Sequence, residues 1–124
     1  MKINLSVTAL LGMLAIILGA FGAHALKNHL DAAALTSFET GVRYQMYHVL
    51  ALLFVNIYPG FTARTKNTIS LLFFAGIVFF SGSIYAITAL GVNAGSIWFI
   101  TPLGGLLFII GWALLFYKFL KKTD

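Results

Sequence analysis

The sequence predicts an all-α integral membrane protein, a four-helix bundle formed by a single domain over residues 1–124. Its composition carries this prediction, because 60% of the residues are hydrophobic and 9% are charged. Soluble domains average about 45–50% hydrophobic residues and about 25% charged residues. A soluble chain this short could not hide so much apolar surface, because small domains bury about two-thirds of what they expose when unfolded. Disorder is excluded as well, since its signature is low hydrophobicity.

The basic residues lie mostly at the ends of the apolar runs, although the net charge is +5. This placement is typical of topology signals and of contacts with anionic lipid headgroups. A nucleic-acid partner is not expected, because such binding needs a dense cationic face. The absence of cysteine excludes disulfides, a thiol nucleophile and thiolate metal sites.

The first predicted span covers residues 3–23, which carry no charge. A helix of that length is about 30 Å long, enough to cross a bilayer. Lys2, the apolar run and the Ala-His-Ala triplet at 23–25 also resemble a signal peptide, but the usual apolar region of a signal peptide is only about 7–15 residues long. We therefore predict a retained helix, in which Gly12 and Gly19 lie on one face and suit close packing.

Residues 24–40 form the longest polar stretch, and leucines and a phenylalanine are interspersed among its polar side chains. That mixture predicts a short interfacial helix between the first and second spans. Thr36 and Glu39 have the spacing of a capping box. We expect the second helix to begin there, to cross the membrane over residues 41–59 and to end at Pro59-Gly60.

Residues 67–117 carry no charge, and they are too many for one span, which needs about 20 residues. The segment 91–96, Gly-Val-Asn-Ala-Gly-Ser, has the composition of a turn and divides them into spans over 68–90 and 97–117. Pro102 falls in the first turn of the fourth helix, where its missing N–H is tolerated. Trp98 and Tyr117 bracket this helix as interfacial aromatic residues.

The Lys/Arg bias of the short loops predicts that both termini lie in the cytoplasm. With this orientation Lys27 and Arg43 face outward, and the other basic residues face the cytoplasm. The cytoplasmic set is Lys2, Arg64, Lys66, Lys118, Lys121 and Lys122.

The second helix carries polar side chains that an ordinary apolar span lacks. Glu39 and Arg43 have the i,i+4 spacing of an ion pair, and we expect the pair to face the interior, with Arg43 neutralised by Glu39. Charge within a membrane is costly and marks functional positions, so a substrate or lipid site is the alternative to structural pairing. For His48 the structural alternative is a neutral histidine bonded to a neighbouring helix. The candidate ligand or lipid residues are Glu39, Arg43, Tyr44, Tyr47, His48, Ser83, Tyr85 and Thr101.

Small residues on the other helices predict close packing rather than chemistry. Ser81 and Ser83 flank a glycine within a helix, whereas a nucleophile elbow needs a strand-to-helix turn. The three histidines lack a metal-binding spacing, so no metal or other cofactor is expected. No nucleophile, base and orienting group lie at compatible spacings, so we expect a protein that is not an enzyme. The candidate packing residues are Gly12, Gly19, Gly82, Gly104 and Gly111.

Longer motifs cover nearly the whole chain in order. They are GAFGAHALK at 19–27, YQMYHVLALL at 44–53, FSGSIY at 80–85, ITPLGG at 100–105 and IGW at 110–112. Together they resemble the YgdD/YwdK-like family of small bacterial membrane proteins, a domain of unknown function with mitochondrial relatives in animals. The resemblance implies a four-helix protein of the bacterial inner (plasma) membrane, and it carries over no catalytic residue. The motif residues are His24, Arg43, Tyr44, Gln45, Tyr47, His48, Ser81, Gly82, Tyr85, Thr101, Pro102, Gly104 and Gly105.

Small-residue faces are abundant in this sequence and catalytic groups are scarce. This favours a protein that works by association in the membrane, as a homo-oligomer or as an accessory subunit of a larger complex. The alternative is a small transporter, channel or lipid-binding protein, in which the polar residues at the outer end of the second helix line a cavity. Arg43 suits a phosphate or carboxylate headgroup, and membrane lipids are expected partners.

Overall fold

The computed structural model describes residues 2–121, and every regular element in that range is helical. Within it, four long helices carry the fold: α1 is Lys2–His24, α2 is Ala32–Ile57, α3 is Ala63–Thr88 and α4 is Ile100–Lys121. A 3-10 turn, Leu26–Asn28, and a short helical turn, Ala94–Ile97, lie in the connections. The predicted all-α fold is confirmed. Lys122 of the predicted topology lies outside the described residues.

Of the helices in residues 2–121, α1, α3 and α4 are long and apolar enough to cross a membrane. They contain 23, 26 and 22 residues, and at about 1.5 Å per residue each exceeds the hydrocarbon core of about 30 Å. α2 also has 26 residues, but Glu39, Arg43 and Gln45 lie within it. Its length therefore suits a span, whereas its composition is more polar than that of the other three helices.

α2 begins earlier than the capping box predicted. The Asp31 side chain accepts a hydrogen bond from the backbone N–H of Ala34 at 2.7 Å and caps the helix. This carboxylate satisfies one of the free N–H groups of the first turn, so the helix starts at Ala32 and the predicted start at Thr36 is wrong. The separate interfacial helix is not confirmed, because residues 32–40 belong to α2 and only the 3-10 turn Leu26–Asn28 precedes them.

α2 and α3 pack together, while α1 packs along α2 and α4 packs along α3. The first residues of α1 lie beside the last turn of α2, since Asn4 Nδ2 donates to Asn56 Oδ1 at 3.1 Å. α1 and α2 therefore run antiparallel. The same holds for α2 and α3, and for α3 and α4, by their contacts at both ends. The buried hydrophobic core lies mainly between α2, α3 and α4, and its members are Leu52, Val55, Phe61, Ile69, Phe73, Ile77, Phe108 and Leu115.

α3 contains a π-helical turn, Ile77–Ser81, near its centre. Gly104 of α4 lies directly against this turn: a Cβ placed on Gly104 would fall 2.8 Å from the carbonyl carbon of Phe79 and 2.8 Å from Cα of Phe80. Gly82 follows the turn, and a Cβ there would meet no atom closer than a carbonyl oxygen of its own helix at 4.0 Å. Gly104 therefore allows α4 to approach the backbone of α3, whereas Gly82 faces open space.

The small residues of α1 face α2. A Cβ on Gly12 would lie 3.2 Å from Cγ1 of Val49, and Ala15 is buried beside it. On α4, a Cβ on Gly111 would lie 2.8 Å from Cδ1 of Phe73. The small-residue faces of α1 and α4 are therefore covered within one chain, and they are not left over for a second copy.

The connection between α3 and α4 contains the predicted turn. Gly91 has φ +72°, a left-handed conformation that glycine adopts at little cost. Asn93 Oδ1 then accepts the backbone N–H of Gly95 at 2.9 Å. Pro102 lies in the first turn of α4, and Trp98 just before it is 67% exposed.

Candidate functional site

Gln45 of α2 connects α1 to α3. Its side chain is 2% exposed; Nε2 donates to the Leu11 carbonyl of α1 at 2.8 Å, and Oε1 accepts from the Tyr85 hydroxyl of α3 at 2.6 Å. One turn earlier on α2, the Gly41 carbonyl accepts from the Ser81 hydroxyl at 2.7 Å. Tyr85, a predicted site residue, is therefore part of a buried link between helices.

His48 lies close to one turn beyond Gln45 and is also buried. Its ring stacks on Phe108 of α4, with centroids 3.6 Å apart and planes 9° apart. Nδ1 lies 2.7 Å from the Tyr44 carbonyl, and the indole Nε1 of Trp112 lies 3.0 Å from Nε2. Because a carbonyl can only accept and an indole N–H can only donate, His48 carries its proton on Nδ1 and is neutral. This is the arrangement of a histidine bonded to a neighbouring helix.

An asparagine cluster connects helices at the opposite end of the bundle. Asn56 is 0% exposed, and its Nδ2 donates to Ser70 Oγ at 2.8 Å and to the Leu52 carbonyl at 2.9 Å. Its Oδ1 accepts from Asn4, which also donates to Asn67 Oδ1 at 2.9 Å. Sequence reasoning missed this asparagine cluster. The available signal was an isolated amide inside an apolar run, since such a group needs a partner in lipid.

Ser83 and Thr101, two further predicted site residues, lie together where α3 ends and α4 begins. Their hydroxyls hydrogen-bond to each other, and the Ser83 hydroxyl also donates to the Phe80 carbonyl at 3.0 Å. The pair thus links two helices. Residues of α1 and α2, rather than this pair, form the described wall around Arg43.

Glu39 and Arg43 are exposed on the surface of α2. Arg43 Nη2 donates to Thr40 Oγ1 at 3.2 Å, and among residues 2–121 no side chain forms an ion pair with either charge. The prediction that the pair faces the interior, with Arg43 neutralised by Glu39, is therefore wrong. The physical reason is the rotation of α2 about its axis. The face with Gly41, Gln45 and His48 is buried against neighbouring helices, which leaves Glu39 and Arg43 on the exposed side.

Glu39 and Arg43 line a pocket of about 300 Å³ between α1 and α2, which we call the charged pocket. Gly19, Phe38 and Val42 complete its wall. A Cβ on Gly19 would still lie 3.5 Å from Cγ1 of Val42, an ordinary contact. The packing glycine Gly19 thus borders a space that the charged side chains also reach.

Tyr47, another predicted site residue, borders a different concavity. It is 52% exposed, and Tyr44 beside it is 40% exposed; their ring centroids lie 5.5 Å apart. The concavity is a groove of about 520 Å³ between α2 and α4, which we call the aromatic groove. It is lined by Tyr47, Leu50, Ala51, Phe54, Trp112, Leu115, Phe116 and Phe119.

The predicted site residues therefore do not form one cluster. Glu39 and Arg43 share the charged pocket, and Tyr47 borders the aromatic groove. The Tyr44 ring contacts the Phe80 ring of α3. The remaining predicted residues form hydrogen bonds between helices; they are His48, Ser83, Tyr85 and Thr101. No group of three His, Cys, Asp or Glu side chains within residues 2–121 is placed to hold a metal ion.

Comparison with known proteins identifies the family. A family profile described as "Protein of unknown function (DUF423)" matches residues 18–105, which include the helix-linking residues Gln45, His48 and Tyr85. The chain belongs to the DUF423 family. The YwdK-like resemblance seen in the motifs is thereby confirmed.

Relatives from several bacteria match this chain along nearly their whole length. A UPF0382 membrane protein of Staphylococcus saprophyticus is 46% identical over 115 residues, 93% of this chain and 94% of the relative. A UPF0382 membrane protein of Haemophilus influenzae is 41% identical over 124 residues, which cover 97% of this chain and 95% of the relative. YwdK of Bacillus subtilis, also a UPF0382 membrane protein, is 39% identical over 117 residues, covering 93% and 94%. No solved structure matches.

The names of these relatives and the apolar helices agree on the general character of the molecule. The relatives are called membrane proteins, and α1, α3 and α4 have the length and composition of membrane spans. This DUF423 chain is therefore a small, helical membrane protein of an uncharacterised family.

Proposed function

We propose that this DUF423 protein is a four-helix bundle of the bacterial inner membrane, with both termini in the cytoplasm. The asparagine cluster supports this topology, because Asn4 at the start of α1 bonds to Asn67 at the start of α3. If α1 and α3 both enter the membrane from the same side, α2 must bring the chain back across it. The Lys/Arg bias of the loops then places that side in the cytoplasm.

The placement of the charges on α2 is compatible with this crossing. Glu39 lies about 27 Å from Ile57 along the helix axis at 1.5 Å per residue. This distance is slightly less than the hydrocarbon core of about 30 Å, so Glu39 lies at the edge of the core when the end of α2 lies at the opposite edge. Arg43 lies one turn inside and extends back toward Thr40, as a snorkelling side chain does.

We further infer that the protein works by association in the membrane, as a homo-oligomer or as an accessory subunit of a larger membrane complex. The observation that carries this proposal is the aromatic groove between α2 and α4. Its wall presents large side chains that are about half exposed or more, among them Leu50 at 58% and Phe116 at 68%. Helix association in lipid is driven by close packing, and a helix of another chain would fill a concavity of this kind.

The interior of the bundle supports a structural rather than a catalytic use of its polar groups. Within residues 2–121 every buried side-chain nitrogen and oxygen has a hydrogen-bond partner. Gln45 and His48 each use their side-chain atoms to connect helices. Such groups hold a bundle in one arrangement, so they favour a protein that presents fixed outer faces to partners.

Single-cysteine cross-linking tests association, because the sequence contains no cysteine. Leu50→Cys and Phe116→Cys place a thiol on the wall of the aromatic groove, and Leu71→Cys is the matched control on α3, where the side chain is 69% exposed. After oxidation in native membranes, the groove variants should give a discrete dimer or a discrete adduct with another protein, whereas Leu71→Cys should remain a single chain. Monomers at all three positions, with a monomeric mass in mild detergent, would overturn the proposal.

The alternative role in lipid binding is supported by a different observation, the exposed charges of Glu39 and Arg43. The charged pocket and the aromatic groove lie on lateral seams of the bundle, between α1 and α2 and between α2 and α4. Positions on lateral seams favour lipid binding over a transport path as the alternative function.

A further inference from the structure

The charged pocket combines two opposite charges that do not satisfy each other. Glu39 and Arg43 are one helical turn apart on α2, yet neither has an ion-pair partner among residues 2–121. Charged groups near hydrocarbon are costly unless something neutralises them. A ligand that contacts both side chains must therefore offer a cation to the carboxylate and an anion to the guanidinium.

The depth of the pocket suits a phospholipid headgroup. If α2 crosses the membrane as proposed above, Glu39 lies at the outer edge of the hydrocarbon core. The guanidinium of Arg43 is held toward the same level by its bond to Thr40, 3.2 Å away. Both charged groups then lie where headgroup phosphates and amines meet the acyl chains.

The shape of the pocket suits one headgroup with an adjoining chain. The volume is about 300 Å³, and the charged side chains occupy one part of the wall. The remainder is formed by Gly19, Phe38 and Val42, so the seam between α1 and α2 beside the charges is apolar. A lipid can contact the charges with its headgroup and this seam with its glycerol and acyl carbons.

We propose that the charged pocket binds a zwitterionic phospholipid with a primary ammonium, of the phosphatidylethanolamine type. The phosphate oxygens accept hydrogen bonds from the Arg43 guanidinium, whose planar fork matches two oxygens at once. The ammonium donates to the Glu39 carboxylate. Phosphatidylglycerol has no cation for Glu39, and the quaternary ammonium of phosphatidylcholine has no N–H to donate. The inference depends on α2 crossing the membrane and not on association.

Native mass spectrometry of the detergent-solubilised chain tests this selectivity. The protein is mixed with equal amounts of phosphatidylethanolamine, phosphatidylglycerol and phosphatidylcholine of identical acyl chains, and lipid adducts are counted on the single-chain mass. Wild type should retain phosphatidylethanolamine about two- to fivefold over the other two, the range that an exposed ion pair supplies. Because the readout is the single chain, it is independent of whether the protein associates.

Two single variants separate the contact between Glu39 and the ammonium from the contact between Arg43 and the phosphate. Glu39→Gln should lower phosphatidylethanolamine retention to the level of phosphatidylglycerol, and Arg43→Gln should lower the retention of all three lipids. Lys27→Gln is the matched control, because Lys27 is an exposed basic residue near the same end of the bundle but outside the pocket. Lys27→Gln should retain the three lipids in the same order of preference as wild type. An unchanged melting temperature shows that each variant is folded.

Equal retention of the three lipids by wild type would overturn the proposal, as would an unchanged lipid order in Glu39→Gln. A loss of selectivity in Lys27→Gln would also overturn it, because the effect would then be general surface charge. Free phosphoethanolamine at millimolar concentration is added as a competitor. It should fail to displace the lipid, and displacement would identify a soluble zwitterion, rather than a lipid, as the ligand.

Discussion

The indole Nε1–H of Trp112 on α4 donates a hydrogen bond to Nε2 of His48 on α2, 3.0 Å away. The histidine is buried, but the Trp112 side chain is 48% exposed and forms part of the aromatic groove. The bond therefore joins the interior of the bundle to the wall of the surface that we propose for association. It also holds α2 to α4 at a point where the His48 and Phe108 rings stack.

Trp112→Phe should destabilise the bundle, because His48 Nε2 then loses its donor in a buried position. Hydrogen bonds between membrane helices contribute about 0.6 kcal/mol on average and up to about 1.7, so we expect a loss of about 1 kcal/mol. Trp98→Phe is the control, since Trp98 is 67% exposed and lies before α4. Denaturant unfolding in micelles measures the stability of both variants. Equal losses in the two variants would show that the indole N–H of Trp112 contributes nothing specific.

Tyr85→Phe should destabilise the protein by about 1–2 kcal/mol, because Gln45 Oε1 is then buried without a donor. Adding Gln45→Leu removes the unpaired oxygen and leaves an apolar contact. The double variant should therefore be no less stable than Tyr85→Phe alone, although it contains one more substitution. Additive losses from the two single changes would indicate that the bond between these side chains is not the cause. The measurement is again unfolding in detergent.

Gly104→Ala and Gly82→Ala make the same chemical change with opposite expected results. The new methyl group at 104 would meet backbone atoms of Phe79 and Phe80, which cannot rotate away. Overpacking of this kind costs about 1–3 kcal/mol. At 82 the methyl group enters open space, and the helix propensity of alanine favours the variant by up to about 1 kcal/mol. Melting temperatures that fall equally would contradict the close approach of α4 to the α3 backbone.

Glu39→Gln and the double variant Glu39→Gln/Arg43→Gln should have nearly the same stability. Both side chains are exposed and do not pair with each other, so removing one charge leaves the other in contact with headgroups or water. Exposed pairs contribute about 0.2–1 kcal/mol, so the free energies of unfolding of the two variants should agree within that range. A single variant that is much less stable than the double variant would mean that the pair is buried after all.

The helical fold could be predicted from composition because the bilayer imposes one length and one polarity on every span. The start of α2 was predicted wrongly because two local caps compete. Asp31 is followed by three alanines, the strongest helix formers, and that signal outweighs the capping box at Thr36. Both signals are present in the sequence, and the prediction rested on the capping box alone.

The partners of the polar residues could not be predicted, because they depend on how each helix is rotated about its axis. Gln45 was recognised as a motif residue, but its bond to Tyr85 joins residues 40 positions apart. Gly22 was missed as a packing residue: a Cβ there would lie 2.7 Å from the Phe38 ring. A single sequence shows which face of a helix carries small or polar residues, but it does not show which neighbouring helix covers that face.

Reporter fusions should place Lys66 and the C-terminus in the cytoplasm and Asp31 on the outside. The expectation follows from the loop charges and from the asparagine cluster, which puts the starts of α1 and α3 at one end of the bundle. α1 should also be retained in the mature protein, because Gln45 bonds to the Leu11 carbonyl and Asn56 bonds to Asn4. Intact-mass measurement of the membrane-extracted chain checks this. A mature chain that begins near Lys27 would identify α1 as a signal peptide, and a cytoplasmic signal at Asp31 would invert the proposed topology.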